Sequence, residues 1–152
     1  MEARAIAGVL TLLNQEVKSC ALDILRPPPK GGKGALKCGF SVQHDWSAEN
    51  DAKKLNSFTC RVNAEFVGYE EDGPKDGEEL FKLTGQFVSR FNVEGGALTA
   101  GDIRAHLWFV NCILFTAATT YLNNALQSTV FAKMTLPINF GWTTSEKEAA
   151  AD

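Results

Sequence analysis

The segment that follows Thr99 constrains the fold of this chain most, because its helix is apolar over more of its surface than one partner can cover. Thr99 and Asp102 have the spacing of a capping box, which predicts a helix start at this point. Two apolar rows follow at three- and four-residue spacing. The first row is Val110, Leu114, Ala117, Ala118, Tyr121 and Ala125. The second row is Trp108, Cys112, Phe115, Leu122 and Leu126. The sequence therefore predicts that one row packs on the chain's own sheet and the second row on another copy of the chain.

This helix is expected to end at residues 127–129. A membrane span is the alternative for so apolar a run, but several Asn and Thr residues interrupt it, and Arg104 and His106 lie near its start. A packed helix in an oligomer is therefore favoured. Beyond it, Pro137 biases the preceding residue towards extended backbone, which predicts an ordered extended segment from Met134 to Phe140.

Alternation of apolar and polar residues predicts the strands of a sheet. It is clearest in segments 57–69 and 80–93, which an acidic, glycine-containing connection joins, so these segments are expected to pair antiparallel. Shorter extended patterns cover residues 16–25 and 36–42, whereas residues 2–15 fit a helix or a strand equally well. Together they predict an α+β domain, a four-stranded antiparallel sheet covered by the long C-terminal helix.

Composition restricts the classes of function. The 152 residues are expected to form a single domain, with a core at residues 17–140 and a short tail at 141–152. A formal net charge of −3 without a lysine and arginine cluster argues against nucleic acid binding. The N-terminus lacks the features of a signal peptide, which predicts a cytoplasmic protein. The cysteines are too widely spaced for a zinc site, and Cys38 and Cys60 are expected to be free buried thiols.

Residues suited to catalysis or metal binding are sparse. Acid–base chemistry could gather at His44-Asp45 or at His106, but no nucleophile stands in a matching context. The acidic connection at residues 70–79 could bind a divalent cation or a basic partner, although it fits a solvated hairpin tip better. We therefore predict no catalytic residue, no metal and no cofactor, and we favour a binding protein.

Several features follow one another in order between residues 17 and 140. An early strand ends at Pro27, a second strand leads into Asp45-Trp46, two long strands follow, and a long helix precedes Leu136-Pro137-Ile138-Asn139-Phe140. This order resembles the SecB family of export chaperones and its SecB-like relatives, which include chaperones of toxin–antitoxin systems. In that family the long helix is followed by a segment close to Leu-Pro-Pro-Val-Asn-Phe.

The resemblance implies an ATP-independent holdase that captures unfolded polypeptides in apolar grooves. It also implies a homotetramer, a dimer of dimers with helices at the interface, while neither nucleic acid nor a membrane is expected as a partner. Apolar and aromatic surface with adaptable residues such as methionine suits the capture of non-native chains. By position, the residues expected near the groove are Phe40, Val42, Trp46, Phe131, Met134, Leu136 and Trp142. Several of them, Phe40 and Leu136 first, could instead fill the core.

The sequence departs from the export chaperones where they dock on the SecA motor. Asp23 is the one acidic residue in the matching stretch 21–26, and residues 115–119 replace the family's Phe-Pro-Tyr-Ala-Arg stretch. The twelve residues after Phe140 leave room for a shortened second helix at most. SecA docking is therefore doubtful, and a dedicated client such as an antitoxin or a phage protein fits better. The alternative is a structural or assembly protein that keeps this fold and binds one folded partner.

Overall fold

A four-stranded antiparallel sheet and a long helix make up the fold, as the sequence predicted. The computed structural model describes residues 2–28, 34–45, 51–70 and 78–131. In chain order the elements are α1 (Ala3–Val9), β1 (Leu10–Ile24), β2 (Gly34–His44), β3 (Lys54–Leu55), β4 (Ser57–Glu70), β5 (Glu79–Val93), a 3-10 turn (Glu94–Gly96), β6 (Leu98–Thr99), α2 (Ala100–Ala105) and α3 (Leu107–Gln127). The main sheet has the order β1-β5-β4-β2, and β3 pairs with β6 in a small second ladder.

The central pair of strands confirms the predicted hairpin. β4 and β5 pair antiparallel from Ser57 opposite Asn92 to Tyr69 opposite Glu79. Side chains alternate between the two faces of a strand, and the apolar set of β4 is buried on one face. That set is Phe58, Cys60, Val62, Ala64 and Phe66. One face of the sheet is therefore the core face, and the other is polar.

The N-terminal residues are divided between a helix and a strand. Residues 2–15 fitted either structure, and the chain uses α1 up to residue 9 and β1 from residue 10. Ile6 is fully buried and Leu10 nearly so, because both belong to the core that lies against the sheet. β1 is consequently longer than the extended pattern at 16–25 indicated.

The predicted capping box is confirmed. The Thr99 hydroxyl accepts a hydrogen bond from the Asp102 backbone N–H at 3.1 Å, and the Thr99 N–H donates to Asp102 Oδ2 at 2.9 Å. The Thr99 hydroxyl also donates to Asp102 Oδ2 at 3.0 Å, and the two bonds that the carboxylate accepts, the backbone one first, lower the pKa of Asp102 below its usual value. The prediction of one unbroken helix from this cap is wrong, because His106 leaves helical geometry at φ −125° and separates α2 from α3. The His106 N–H bonds to Ile103 O, three residues back, and closes the first helix there.

Two glycines set how closely α3 and the turn after it approach the sheet. A Cβ at Gly85 would lie 2.7 Å from the Phe87 ring and 3.2 Å from Cδ2 of Leu122, so the bare backbone leaves room for both the Phe87 ring and the Leu122 side chain of α3. Gly68 similarly leaves room for the ring of Phe81, which packs on Phe131 with 4.7 Å between ring centroids. The helix and its C-terminal turn are thereby anchored over β4 and β5.

The prediction that both strand cysteines are buried is half wrong. Cys60 is fully buried as predicted, but Cys38 is exposed, although its register partner Phe66 is buried on the same side of the sheet. β2 is an edge strand, and although the Phe115 ring of α3 packs on Phe40 of β2, Cys38 two residues away stays exposed. Both cysteines are free thiols.

Candidate functional site

The core face of the sheet is open along β2. α3 crosses that face with the ring of Phe115 5.2 Å from the ring of Phe40, edge to face. Four alternate residues of β2 point to the same side as the buried residues of β4, and we refer to them as the β2 strip. They are Leu36, Cys38, Phe40 and Val42. Cys38 is exposed and the other three are partly buried against the core, so the strip offers apolar side chains that solvent can still reach.

The predicted groove residues fall into three groups. Phe40 and Val42 belong to the β2 strip. Phe131 is 1% exposed and packs in the core on Phe81, so its side chain has no surface to offer a ligand in this conformation. The remaining four lie outside the described residues, and their place in the groove stays a prediction: Trp46, Met134, Leu136 and Trp142.

The second apolar row of the long helix is largely inside the protomer. Phe115, Leu122 and Leu126 are buried in the chain's own core, whereas Trp108 is 39% exposed and Cys112 is partly buried. The side of the helix that packs on the sheet lies between the two apolar rows, so residues from both rows contact the sheet. Trp108 and Cys112 are the members of the second row that keep accessible surface, and their contact with another copy stays a prediction.

The opposite margin of the sheet carries apolar residues that the sequence analysis did not single out. Leu13, Ile24 and Leu25 are each about half exposed, at 56%, 47% and 55%. They lie in β1 or directly after it, and β1 is the other edge strand of the sheet. Recognising that β1 begins at residue 10 would have placed Leu13 on an edge strand, where exposed apolar side chains favour pairing with another chain.

The face of the sheet that points away from α3 is polar. A shallow depression of about 430 Å³ there is lined in part by Ser41, Asn63, Glu65 and Gln86. Charges on this face alternate in sign rather than cluster: Lys82 lies 3.3 Å from Glu65 in an exposed ion pair and also stands opposite Asp23 in the β1–β5 register. The described part of this face therefore presents no concentrated acidic surface.

The pKa values of two titratable groups on the core face are shifted in directions that do not favour a cysteine nucleophile. His44 and Cys60 are register partners across β2 and β4. Burial, followed by the charge of Asp45, raises the pKa of the Cys60 thiol to about 12. Burial lowers the pKa of His44, and Asp45 opposes that shift while Arg104 adds to it. A reactive cysteine needs a lowered pKa, so this pair lacks the electrostatics of a cysteine nucleophile.

No group of three or more metal-ligating side chains occurs among the described residues. In the same part of the chain, no helix has both the length and the hydropathy needed to cross a membrane. The described residues bring together an apolar strip, and accessible apolar side chains can bind an apolar ligand.

Comparison with known proteins identifies the fold. The sequence matches no protein-family model and no curated protein at a significant level. The structure is similar to that of a SecB-like chaperone of Mycobacterium tuberculosis, solved in complex with a peptide from an antitoxin. The two share 12% sequence identity and a TM-score of 0.65 over 89% of this chain and 94% of the other. The sequence-based resemblance is thus confirmed in three dimensions, and the chain has the SecB-like fold.

Proposed function

We propose that this chain is a SecB-like chaperone, an ATP-independent holdase that binds unfolded or non-native polypeptides. The observation that carries the proposal is the β2 strip, where apolar side chains remain partly accessible beside the long helix. The similar protein of M. tuberculosis was solved with a peptide bound, which supports polypeptide binding on this fold. Accessible apolar surface without a fixed polar constellation suits ligands that differ in sequence.

Suppression of aggregation tests the activity directly. A reduced, unfolded model protein is diluted into buffer with stoichiometric amounts of the full chain and without nucleotide, and light scattering is followed. The proposal expects scattering to be suppressed in proportion to added chain. Unchanged aggregation at a severalfold molar excess would remove the holdase function.

A matched pair of substitutions on β2 tests the site. Val42→Asp places a charge in the β2 strip, whereas Ser41→Asp places the same charge on the polar face one residue away. Burying an unpaired carboxylate against apolar groups is costly, so the first variant is expected to lose client binding and the second to keep it. Circular dichroism of both variants checks that the fold is retained. If both variants are folded and bind clients as well as the unsubstituted chain does, clients bind elsewhere.

We further propose a homotetramer, a cytoplasmic location and a dedicated client such as an antitoxin or a phage protein. Trp108 on α3 and the exposed apolar residues of β1 are surface that contact between copies would cover. The mixed charges around Asp23 give no reason to expect docking on SecA. Static light scattering should report a mass near four times 16.5 kDa, which increases when an unfolded client is added.

A structural or assembly protein that binds one folded partner is the second candidate. The exposed Leu13, Ile24 and Leu25 favour it, because a fixed partner could use this margin without any general affinity for unfolded chains. This function predicts a mass that does not change with unfolded protein, and one stoichiometric partner recovered from the native source.

A further inference from the structure

One depression on the polar face of the sheet is lined, among the described residues, by hydrogen-bond donors and by no carboxylate. Its volume is about 290 Å³, all four strands of the main sheet contribute to it, and we refer to it as the donor depression. Its polar residues are Lys18 of β1, Gln43 of β2, Arg61 and Asn63 of β4, and Gln86 of β5. Two of these side chains are cationic and the other three carry amide N–H groups, so the depression is suited to an anion.

Strand register explains why these residues converge. Gln43 stands opposite Arg61 on the neighbouring strand, and Asn63 stands opposite Gln86. Paired residues point to the same face of a sheet, and residues two apart on one strand share that face. Lys18 is the residue that the second register shift of β1 leaves unpaired, and such a bulge redirects a side chain. The sheet therefore holds donors from four strands around one place.

Arg61 carries the uncompensated charge of the donor depression. It is exposed, and it forms neither an ion pair nor a side-chain hydrogen bond with any described residue. Lys18 is bound to Glu16 at 2.7 Å in an exposed ion pair, so a ligand would compete with that carboxylate. Arg90 lies on the same face, two residues beyond the β5 partner of Arg61, and also lacks an ion pair within the described part of the chain. A carboxylate at Arg61 would therefore gain charge-assisted hydrogen bonds without displacing an acidic neighbour.

Two other depressions adjoin the donor depression along the polar face. One of about 400 Å³ shares Gln43 and Arg61 with it, and the one of about 430 Å³ described above shares Asn63 and Gln86. Each of these two also contains one carboxylate, so the uncompensated positive charge is confined to the centre. This continuous, shallow relief is wider than a small ion needs, and it fits the side chains of a protein segment.

We propose that the donor depression docks an acidic segment of a partner protein, with a carboxylate at Arg61 and uncharged polar residues on either side of it. The chain has a formal net charge of −3, so it attracts an acidic protein only through local positive surface such as this one. The donor depression and the β2 strip lie on opposite faces of the sheet, so a partner and a client can be bound at the same time. The proposal does not depend on the holdase activity.

Peptides that differ only in charge test the ligand chemistry. The probe is rhodamine-labelled Ser-Glu-Thr-Glu-Thr-Glu-Ser, titrated with the full chain and followed by fluorescence anisotropy, and the control peptide has glutamine at each glutamate position. At about 50 mM salt we expect the glutamate peptide to bind about tenfold more tightly than the control, and to lose affinity about fivefold at about 300 mM salt, because exposed charges are screened. Equal binding of the two peptides, or binding that salt does not weaken, would overturn the proposal.

Two competitors distinguish a protein segment from other sources of negative charge. Inorganic triphosphate and an oligothymidylate of about ten nucleotides are each added to the labelled complex at low salt. Because the peptide also contacts the amide side chains beside Arg61, we expect both competitors to bind more weakly than the unlabelled glutamate peptide. If either one displaces the probe as well as that peptide does, the depression takes anions in general, and the docking proposal fails.

Charge removal on the polar face locates the contact. Arg61→Gln removes the uncompensated charge, whereas Lys37→Gln removes one charge from the same face near the other end of β2, away from the donor depression. Affinity for the glutamate peptide should fall about fivefold for the first variant and less than about twofold for the second. Equal losses would show that the peptide responds to net charge alone, and no loss for Arg61→Gln would place the contact elsewhere; either result overturns the proposal.

Charge addition gives an independent measurement that keeps Arg61 in place. Gln86→Glu puts a carboxylate into the donor depression with almost the same side-chain shape, and Gln127→Glu makes the same change at the exposed end of α3. We expect the first variant to bind the glutamate peptide about fivefold more weakly and the second to bind it as the unsubstituted chain does. Both substitutions are on exposed residues, and circular dichroism checks that the fold is retained. Unchanged affinity of a folded Gln86→Glu variant would overturn the proposal.

Discussion

Phe131 is expected to be a core residue rather than a client contact, and Phe131→Ala separates the two roles. Its side chain is 1% exposed and lies against Phe81, whose ring occupies the space left by Gly68. Phe131 lies at the end of the turn that follows α3, and its contact with Phe81 of β5 holds the C-terminal end of the helix on the sheet. Removing the ring would leave a cavity between these elements.

The size of the effect follows from the burial. Truncating a fully buried phenylalanine to alanine costs about 3 to 5 kcal/mol, because the transfer free energy of the ring is lost and a cavity remains. With a urea m value of about 2 kcal/mol/M, the unfolding midpoint should fall by about 1.5 to 2.5 M. Val130→Ala is the matched control, since Val130 is 63% exposed and an exposed substitution changes stability by about 0.5 kcal/mol or less.

Urea unfolding followed by circular dichroism at fixed protein concentration provides the assay, and binding of the reduced, unfolded model protein is measured on the same variants under native conditions. The structure predicts a large midpoint shift for Phe131→Ala with client affinity retained wherever the variant is folded. A midpoint shift below about 0.3 M together with lost client binding would refute the core assignment. It would instead place Phe131 in the groove, as the sequence analysis had expected.

Three further perturbations test the packing, the cap and the electrostatics. Gly68→Ala would push a methyl group into the ring of Phe81 and should lower the free energy of unfolding by about 1 to 3 kcal/mol, measured by urea unfolding. Thr99→Ala removes the acceptor for the Asp102 N–H and should cost about 1 kcal/mol in the same assay; a change below 0.3 kcal/mol would contradict the role of the cap. The pKa of His44 is lowered in the folded state. Below the unfolded pKa of about 6.5 the unfolded state therefore binds more protons than the folded state. The free energy of unfolding should consequently fall as the pH decreases from about 6.5 towards the folded pKa. His44→Asn should flatten the stability profile in that window, whereas the Asp102 contribution is lost at lower pH, below about 3.8.

Local patterns were sufficient where neighbours in sequence decide the structure. The alternation at 57–69 and 80–93 predicted two strands whose bounds agree with β4 and β5 to within one residue. The capping box from Thr99 to Asp102 appeared with both of its hydrogen bonds. Such features depend on residues three to five positions apart, so the sequence contains most of what determines them.

The break at His106 depended on contacts that a helical pattern does not contain. Apolar spacing continues through this residue, yet its N–H bonds to Ile103 O and its ring Nδ1 donates to Asp102 O at 3.0 Å. These two bonds replace the regular helical ones and turn the chain between α2 and α3. The spacing of apolar residues shows which side of a helix is apolar. It does not reveal a single residue whose backbone leaves helical geometry.

The sequence by itself determined the class of this protein: an α+β chain with a four-stranded antiparallel sheet, a long helix and the order of elements of the SecB-like fold. The tertiary structure decided which apolar residues are core and which are surface. Phe131 and Leu122 are buried because Gly68 and Gly85, distant in sequence, leave room for close packing, while Cys38 is exposed because β2 is an edge strand. Strand order and helix rotation set that division, and both are long-range properties that hydrophobic periodicity along the chain does not specify.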